Sequence, residues 1–233
     1  MVTSTRARTY DEMVDALAAE GLPALHDKLA TLAPTDWERP TLLQPPDADK
    51  PPWTVLQLAA HFDVFMGLTM GLVAEPTSAQ PVVDRASFYI SVSDRSKVSP
   101  VIYQYIVDHA EGHTPATIGD QVGKTFTQAL EAIRTTPPDT IGPGFFGPMR
   151  LDEFVATRLV ETQVHGMDLT DALGVAPLRM PATTVMAAEV LDEVLARRAV
   201  PGRPADLEGD DLGFIRAAAG RGEYPDPRLP VVG

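Results

Sequence analysis

The stretch LDEFVATRLVETQVHGMDLTDALG, from Leu151 to Gly174, decides the fold class. At about 100° per residue, one stripe of the predicted helix carries charged and aromatic side chains, and apolar residues flank it on each side. The members of this stripe are Phe154, Arg158, Glu161, His165 and Asp168. Glu153, Gln163 and Asp171 lie on the opposite face, which we expect to face solvent. Gly174 is the residue type expected just past a helix end.

Further helices are predicted on both sides of this segment, with proline-rich loops between them. Their approximate bounds are Tyr10–Leu32, kinked at Gly21 and Pro23, Val55–Ala74 with Thr54 as N-cap, Ser99–Glu111, Pro115–Ile133, Ala182–Arg198 and Asp210–Ala219. Strand signals are weak: Phe88–Val92 alternates, and Thr135–Pro148 is predicted to be a loop. This order predicts an all-α protein, with a four-helix bundle over residues 1–175 and a short C-terminal helical extension and irregular tail over 176–233.

The composition excludes several classes of partner and chemistry. The 233 residues include 19 Lys and Arg against 32 Asp and Glu, a net charge of −13. Such an acidic chain has no electrostatic attraction to nucleic acid or to anionic membrane surfaces, so neither is an expected partner. It contains no cysteine, which excludes disulfides, thiolate metal ligands and a cysteine nucleophile. Any sulfur chemistry must therefore come from a bound small molecule.

The segment Val55–Ala74 is long and apolar enough to resemble a membrane span. Gln57, His61 and Asp63 interrupt it, so a buried core helix is the better interpretation. Met1–Thr9 contains two arginines and lacks the apolar centre of a secretory signal. We therefore expect a cytoplasmic protein.

Three side chains at inward-facing positions form a candidate metal site. Glu161 and His165 are four residues apart on the stripe, and His61 lies among apolar wheel neighbours of the earlier helix. Each feature alone has an ordinary explanation, because a Glu–His pair at this spacing is a common salt bridge and a single inward His is usually a hydrogen-bonded core residue. Together they supply two nitrogens and one carboxylate oxygen, the ligand set of an open catalytic zinc site.

A second histidine pair competes with this site. His109 and His113 are also four residues apart. Gly112 and the following Thr114-Pro115 place His113 at a helix terminus, and no acidic ligand stands at a matching spacing. We therefore interpret this pair as structural.

Two stretches carry a family resemblance: Pro52-Trp53-Thr54-Val55 followed by Leu58 and His61, and Glu161-Thr162-Gln163-Val164-His165-Gly166-Met167-Asp168 followed by Ala172-Leu173-Gly174. They resemble the two signature stretches of the DinB-like superfamily, in the actinobacterial branch named for mycothiol-dependent maleylpyruvate isomerase. The resemblance runs from about Tyr10 to Gly174. It implies a DinB-like four-helix bundle in which His61, Glu161 and His165 ligate a divalent metal, usually zinc.

Past Gly174 the sequence departs from the isomerase pattern, in which a sterol-carrier-like α/β domain follows. We therefore infer the broader family activity, that of a transferase or isomerase that uses mycothiol as its thiol cosubstrate. A thiol in the open metal position would lose its proton near neutral pH and attack an electrophilic small molecule.

Two residues of the stripe are candidate catalytic residues. Arg158 could hold a substrate carboxylate, or it could form a salt bridge with Glu161 or Asp168. Asp168 resembles a carboxylate that hydrogen-bonds and orients a ligand imidazole, or it could cap or pair locally.

The tail contains two arginines that are candidate cofactor-binding residues. Arg221 and Arg228 are surrounded by glycine and proline, which excludes a regular helix. The tail is then either an irregular strap whose arginines bind an anionic group of the thiol or the electrophile, or a solvated segment fixed by local Arg–Asp pairs.

Two other functions are compatible with the same residues. With water instead of a thiol in the open position, the site would be that of a metal-dependent hydrolase. With a fourth tight protein ligand, it would be a closed metal site in a non-catalytic stress module. The expected partners are a small-molecule electrophile and a low-molecular-weight thiol, and the expected assembly is a monomer or a homodimer.

Overall fold

The computed structural model describes residues 8–45, 49–92, 95–199 and 202–232. Most of the segment Met1–Thr9, in which no secretory signal is predicted, lies outside the described residues, as do residues 46–48 of the first proline-rich loop. The described residues are mainly helical, which confirms the predicted all-α class.

The elements follow the predicted order, with one added helix and a small hairpin. The helices are α1 (Tyr10–Ala16), α2 (Leu22–Ala30), α3 (Val55–Ala74), α4 (Arg85–Val92), α5 (Arg95–Glu111), α6 (Pro115–Thr135), α7 (Leu151–Leu173), α8 (Pro181–Arg198) and α9 (Asp211–Ala218). The strands β1 (Ile141–Gly144) and β2 (Gly147–Arg150) are antiparallel. Helix α3 packs against α6 and α7, and α2 also contacts both, so these elements form the predicted bundle. Helix α8 packs on α7, and α9 packs on α8.

Helices α1 and α2 form one continuous helix through a π-helical turn over Leu17–Gly21. In this turn the N–H of Leu22 donates to the carbonyl of Leu17, five residues earlier. The turn keeps one side of the helix buried on both sides of it, because Leu17 and Leu22 are buried although they are five positions apart. Met13 of α1 belongs to one hydrophobic cluster and Leu25 of α2 to the other. The predicted kink in the first helix is thus a π turn.

Local capping residues set two helix ends that position the site. At the start of α3, the hydroxyl of Thr54 accepts from the N–H of Gln57 at 3.3 Å, and the Gln57 side chain accepts from the N–H of Thr54 at 2.8 Å. At the end of α7, Gly174 adopts the left-handed conformation, with φ +67°. Both predicted ends are confirmed.

Helix α3 is a core helix of the bundle. By length and hydropathy its 20 residues could cross a membrane, but 56% of the apolar 18-residue segment within it is buried inside the protein. Leu58, Phe62 and Met66 are fully buried. The helix therefore packs within the protein, as the sequence predicts.

The predicted loop Thr135–Pro148 is wrong from Ile141 onward, where β1 begins. The strands contain glycine and proline, so their local propensity is low, and contacts with α3 and the chain after it hold them. A Cβ on Gly142 would lie 2.0 Å from the carbonyl oxygen of Leu72, so only glycine allows this approach. The N–H of Thr77 donates to the carbonyl of Ile141 at 2.8 Å.

The segment Phe88–Val92, which gives a weak strand signal, lies instead in helix α4. Asp84 caps this helix: its carboxylate accepts from the N–H of Ser87 at 2.8 Å. Phe88 and Tyr89 are both buried although they are adjacent in sequence. Local capping and core packing therefore override the apparent alternation.

The predicted solvent face of α7 is largely covered. Gln163 is only 1% exposed, because α8 packs over it and the hydroxyl of Thr184 donates to its side-chain oxygen at 2.8 Å. The other two residues of that face are half-buried. Arg85 of α4 pairs with Glu153, and Asp171 binds an arginine of α9. The expectation of solvent exposure is wrong because it counted only the four bundle helices.

Candidate metal centre

His61 from α3 and the pair Glu161 and His165 from α7 converge at one point between the two helices. The Nε2 atoms of the two histidines are 3.1 Å apart. The Oε2 atom of Glu161 lies 3.5 Å from Nε2 of His61 and 3.2 Å from Nε2 of His165. The structure thus brings together the three side chains that the sequence predicts to be metal ligands.

These separations can be compared with the spacing that a metal requires. Tetrahedral ligands at bond lengths of about 2.05 Å lie about 3.3 Å from one another. The three observed separations, 3.1, 3.2 and 3.5 Å, scatter around that value. Two imidazole nitrogens and one carboxylate oxygen at this spacing fit a divalent metal such as zinc. Within the described residues, the group contains these three side chains.

The three side chains are mostly buried but not sealed off. Their exposed fractions are 14% for His61, 17% for Glu161 and 12% for His165. Glu161 and His165 are neighbours on one helix face because they are one turn apart, and the packing of α3 against α7 brings in His61. The cluster is therefore in partial contact with solvent.

Tyr89 of α4 contacts the cluster through Glu161. Its buried hydroxyl lies 3.1 Å from Oε1 of Glu161 and 2.9 Å from the carbonyl oxygen of Thr157. The other carboxylate oxygen, Oε2, faces the two imidazoles, so the tyrosine helps to fix which oxygen points toward them. Sequence reasoning misses this residue because an isolated tyrosine beside Phe88, in a segment with a weak strand signal, does not indicate contact with α7.

Asp168 holds the other side of His165. Its Oδ2 lies 2.8 Å from Nδ1 of the imidazole, and its carboxylate is fully buried. A bond from Nδ1–H to a carboxylate leaves the lone pair on Nε2, the atom that faces Glu161 and His61. The contact is the one expected of a carboxylate that orients a ligand imidazole.

Burial and hydrogen bonds shift the pKa values of the cluster in opposite directions. Burial and the neighbouring charge of His165 lower the pKa of His61. Burial also acts to lower the pKa of His165, but its hydrogen bonds to Asp168 and Glu161 outweigh this effect and raise that pKa to about 9. The surroundings therefore favour the neutral form of His61 and the protonated form of His165.

The two carboxylates stay ionised. Burial acts to raise the pKa of Glu161, but hydrogen bonds from His165 and His61 hold it well below its usual value. Burial acts in the same way on Asp168, whose bonds to His165 and Arg221 lower its pKa to about 2. Binding of a divalent cation at the cluster would thus displace a proton from His165.

Aromatic rings surround His61. The rings of Trp53 and Phe65 each lie 5.6 Å from the imidazole, measured between centroids. Among the described residues, the buried Nδ1 of His61 and the buried Nε1 of Trp53 have no hydrogen-bond partner. On its Nδ1 side this imidazole is therefore oriented by packing, whereas Nδ1 of His165 is hydrogen-bonded to Asp168.

Arg158 lies inside the protein and is 1% exposed. Its guanidinium stacks over Phe154 at 4.3 Å and donates to the carbonyl of Phe65 at 2.7 Å and to the hydroxyl of Thr157 at 2.9 Å. Burial lowers its pKa, while the charge of Glu161 acts in the opposite direction. The structure therefore places the charge of Arg158 near the cluster, but without a carboxylate among the contacts that hold it.

The two tail arginines have different surroundings. Arg221 reaches the cluster indirectly, because its side chain binds Asp168 at 2.6 and 3.0 Å. Arg228 binds Asp226 at 2.6 Å and the carbonyl of Gly202 at 2.9 Å, within the C-terminal region. The tail is irregular and packs on α9, where Val231 is fully buried. It is thus a packed strap with local Arg–Asp pairs.

The rival histidine pair lies apart from the cluster. Nε2 of His109 is 2.7 Å from Oδ2 of Asp63, and Oδ1 of the same carboxylate accepts from the side-chain N–H of Gln121 at 3.4 Å. The ring of His113 lies 4.9 Å from that of His109. This network joins α3, α5 and α6, as expected of structural residues.

Comparison with known proteins places the chain in a family. Residues 18–170 match the family model described as the mycothiol maleylpyruvate isomerase N-terminal domain. No curated protein matches the chain. The matched residues contain all three members of the candidate metal centre.

Two solved structures have the same fold over nearly the whole chain. They are a mycothiol-dependent maleylpyruvate isomerase, at 15% identity, and a histidine-to-alanine mutant of such an isomerase, at 14%. Each has a TM-score of 0.62 and covers 94% of this chain and 96% of its own, so the likeness of fold extends past Gly174. The family resemblance read from the two signature stretches is confirmed: the chain belongs to the mycothiol maleylpyruvate isomerase N-terminal domain family.

Proposed function

We propose that this protein is a metal-dependent transferase or isomerase that uses mycothiol to attack an electrophilic small molecule. His61, Glu161 and His165 hold a divalent metal, zinc, in this proposal. The single observation that carries it is the spacing of the three ligand atoms, at 3.1 to 3.5 Å. Membership in a family whose solved relatives are named as mycothiol-dependent isomerases supports the choice of thiol.

The chemistry of the ligand set supports activation of a thiol. A divalent metal held by two neutral imidazoles and one carboxylate keeps a net positive charge, which lowers the pKa of a thiol in an open position. The chain itself has no cysteine, so the nucleophile is a bound small molecule.

The surrounding residues prepare the site. Asp168 orients His165 through its Nδ1, and Tyr89 binds the carboxylate of Glu161 on the side away from the imidazoles. The ring of Trp53 shields His61 from water on one side. These contacts fix the ligands before the substrate arrives, which limits reorganisation during the reaction.

Arg158 is proposed to attract a substrate carboxylate toward the site. Its buried positive charge acts on Glu161, where it contributes to the lowered pKa. Binding of mycothiol by Arg221 and Arg228 stays a prediction, and the contacts of both with aspartates favour local roles. A cytoplasmic location, a monomeric or dimeric state and a division of the chain near residue 175 also stay predictions.

One experiment tests the proposal on the purified chain. Zinc is removed with a chelator and restored, and zinc content, mycothiol consumption and product are followed for a panel of electrophiles that includes maleylpyruvate. We expect turnover that requires both zinc and mycothiol. The thiol is consumed in a transfer, whereas an isomerisation regenerates it.

Variants relate the activity to the residues. His61→Ala and His165→Ala should lose zinc and turnover, whereas His26→Ala, which changes a histidine with a 46% exposed side chain, should retain both. Equal zinc content in all three variants would refute the metal site. Turnover at the same rate without any thiol would instead indicate the hydrolase, and bound zinc without turnover of any electrophile would indicate the non-catalytic module.

A further inference from the structure

The hydrogen bonds of His165 continue beyond the cluster into the C-terminal region. Nδ1 of His165 lies 2.8 Å from Oδ2 of Asp168. Arg221 binds the same carboxylate with two N–H groups, since its Nε donates to Oδ1 at 2.6 Å and its Nη2 donates to Oδ2 at 3.0 Å. The three side chains form a continuous chain from the candidate metal centre to a residue far along the sequence.

The backbone around Arg221 fixes the position of its guanidinium. Its main-chain N–H donates to the carbonyl of Arg216 at 2.9 Å. Its Nη1 donates to the carbonyl of Ala219 at 2.7 Å. The side chain is only 12% exposed, so it is held on the protein rather than extended into solvent. The segment after α9 thus holds the positive charge of Arg221 against α7.

The chemistry of Asp168 explains why a second donor matters. A fully buried carboxylate is costly unless charged donors satisfy both oxygens. With His165 as its only donor, it would be under-satisfied and could turn to other groups. With Arg221 in place, a planar bidentate pair holds the carboxylate in one orientation, and Oδ2 stays directed at Nδ1.

From this arrangement we infer that Arg221 is a positioning residue of the metal centre, acting through Asp168 to keep Nε2 of His165 directed at the metal. The inference rests on the proposed function. It assigns to the C-terminal region control of metal affinity rather than contact with the thiol. Nδ1 of His61 has no hydrogen-bond partner among the described residues. Of the two ligand imidazoles, His165 is therefore the one that a hydrogen bond at Nδ1 orients.

A purely structural role would be to tie α9 to α7, and the protein contains a matched pair for that role. Arg216 of α9 binds Asp171 of α7 through two N–H groups at 2.7 and 3.0 Å. Asp171 lies one helical turn beyond Asp168. Nη1 of Arg216 also lies 3.5 Å from the carbonyl oxygen of Arg221. Removing the Arg216 side chain therefore tests the tie between the two elements, together with this long backbone contact, and leaves both side-chain partners of Asp168 in place.

The test measures zinc affinity of the full-length chain by competition with a chromogenic chelator. The variants are Arg221→Met, Arg221→Lys, Asp168→Asn and Arg216→Met. We expect Arg221→Met and Asp168→Asn to weaken zinc binding about 10- to 100-fold, the usual effect of losing a group that orients a ligand histidine. Arg221→Lys should recover part of the loss, and Arg216→Met should bind like the parent. Circular dichroism checks that each variant is folded.

The double variant Arg221→Met with Asp168→Asn completes the test. If Arg221 acts through Asp168, the double variant should bind zinc no more weakly than Asp168→Asn alone. Parent-like affinity in Arg221→Met, or equal losses in Arg221→Met and Arg216→Met, would overturn the inference. If Arg221→Met does not fold, Arg221→Lys and its double variant with Asp168→Asn replace it, and losses of zinc affinity that add in that double variant refute the role. Failure of the parent itself to bind zinc would overturn the proposed function as well.

Discussion

The hydroxyl of Tyr89 provides a sharp test of the metal centre, because it touches the centre through a single ligand. It carries one proton and has two acceptors within reach, Oε1 of Glu161 at 3.1 Å and the carbonyl of Thr157 at 2.9 Å. An ionised carboxylate is the stronger acceptor. Tyr89→Phe removes this donor and leaves the ring in place, in a site where the residue is only 3% exposed.

The size of the effect follows from the loss of a hydrogen bond to a buried charged group. Such a bond contributes about 1.5–3 kcal/mol. If Oε1 is no longer held, Glu161 can rotate away from the two imidazoles. We expect the zinc dissociation constant to rise about 10- to 100-fold, which corresponds to about 1.4–2.7 kcal/mol. Chelator competition measures this directly.

Tyr10→Phe is the matched control for this prediction. Its hydroxyl donates to the carbonyl of Ile133 at 2.8 Å, so the same atom and one hydrogen bond are lost away from the cluster. We expect this variant to bind zinc like the parent. Unchanged zinc affinity in Tyr89→Phe would refute the argument, as would the same loss in both variants.

Two further predictions concern stability, measured by urea unfolding. Gly142→Ala should destabilise the protein by about 1–3 kcal/mol, since the added Cβ would meet a backbone carbonyl of α3. Gly119→Ala should not destabilise it, because nothing lies within 4 Å of the added Cβ. Equal urea midpoints for the two variants would contradict this prediction. Burial acts to raise the pKa of Asp84, but hydrogen bonds from Ser87 and Arg197 outweigh this effect and lower it. The stabilisation by the ionised Asp84 is therefore fully present above the pKa of the unfolded chain, and it is lost as the pH falls through the lower pKa of the folded protein. The stability difference between the parent and Asp84→Asn should therefore shrink on acidification, and a constant difference would exclude the mechanism.

The parts of the fold that depend on local signals are predictable from the sequence. Thr54 and Gly174 mark helix ends because capping involves residues within one turn. The inward stripe of α7 is predictable for the same reason, since one period places Glu161 and His165 together. The convergence of His61 with them follows from the apolar face of α3.

The parts that depend on distant packing are not predictable in this way. Gln163 is polar and lies opposite the stripe, yet α8 covers it. The hairpin begins at Ile141 because contacts with the end of α3 and the chain after it hold it, which its glycine and proline content does not reveal. Tyr89 belongs to the site only because α4 lies against α7, and Arg221 only because the chain returns to α7 after α9. Such contacts join residues far apart in sequence, where no period connects them.

The π turn over Leu17–Gly21 determines how many residues the first helix holds at this point. Leu17 and Leu22 lie on the continuous apolar side although five residues separate them. Deleting one residue here would restore regular α-helical hydrogen bonds and leave the two leucines four positions apart, so α1 would keep its orientation relative to α2. Met13 would then stay in its cluster. The π turn thus lets the helix accommodate one extra residue without rotating the side chains of one cluster away from those of the other.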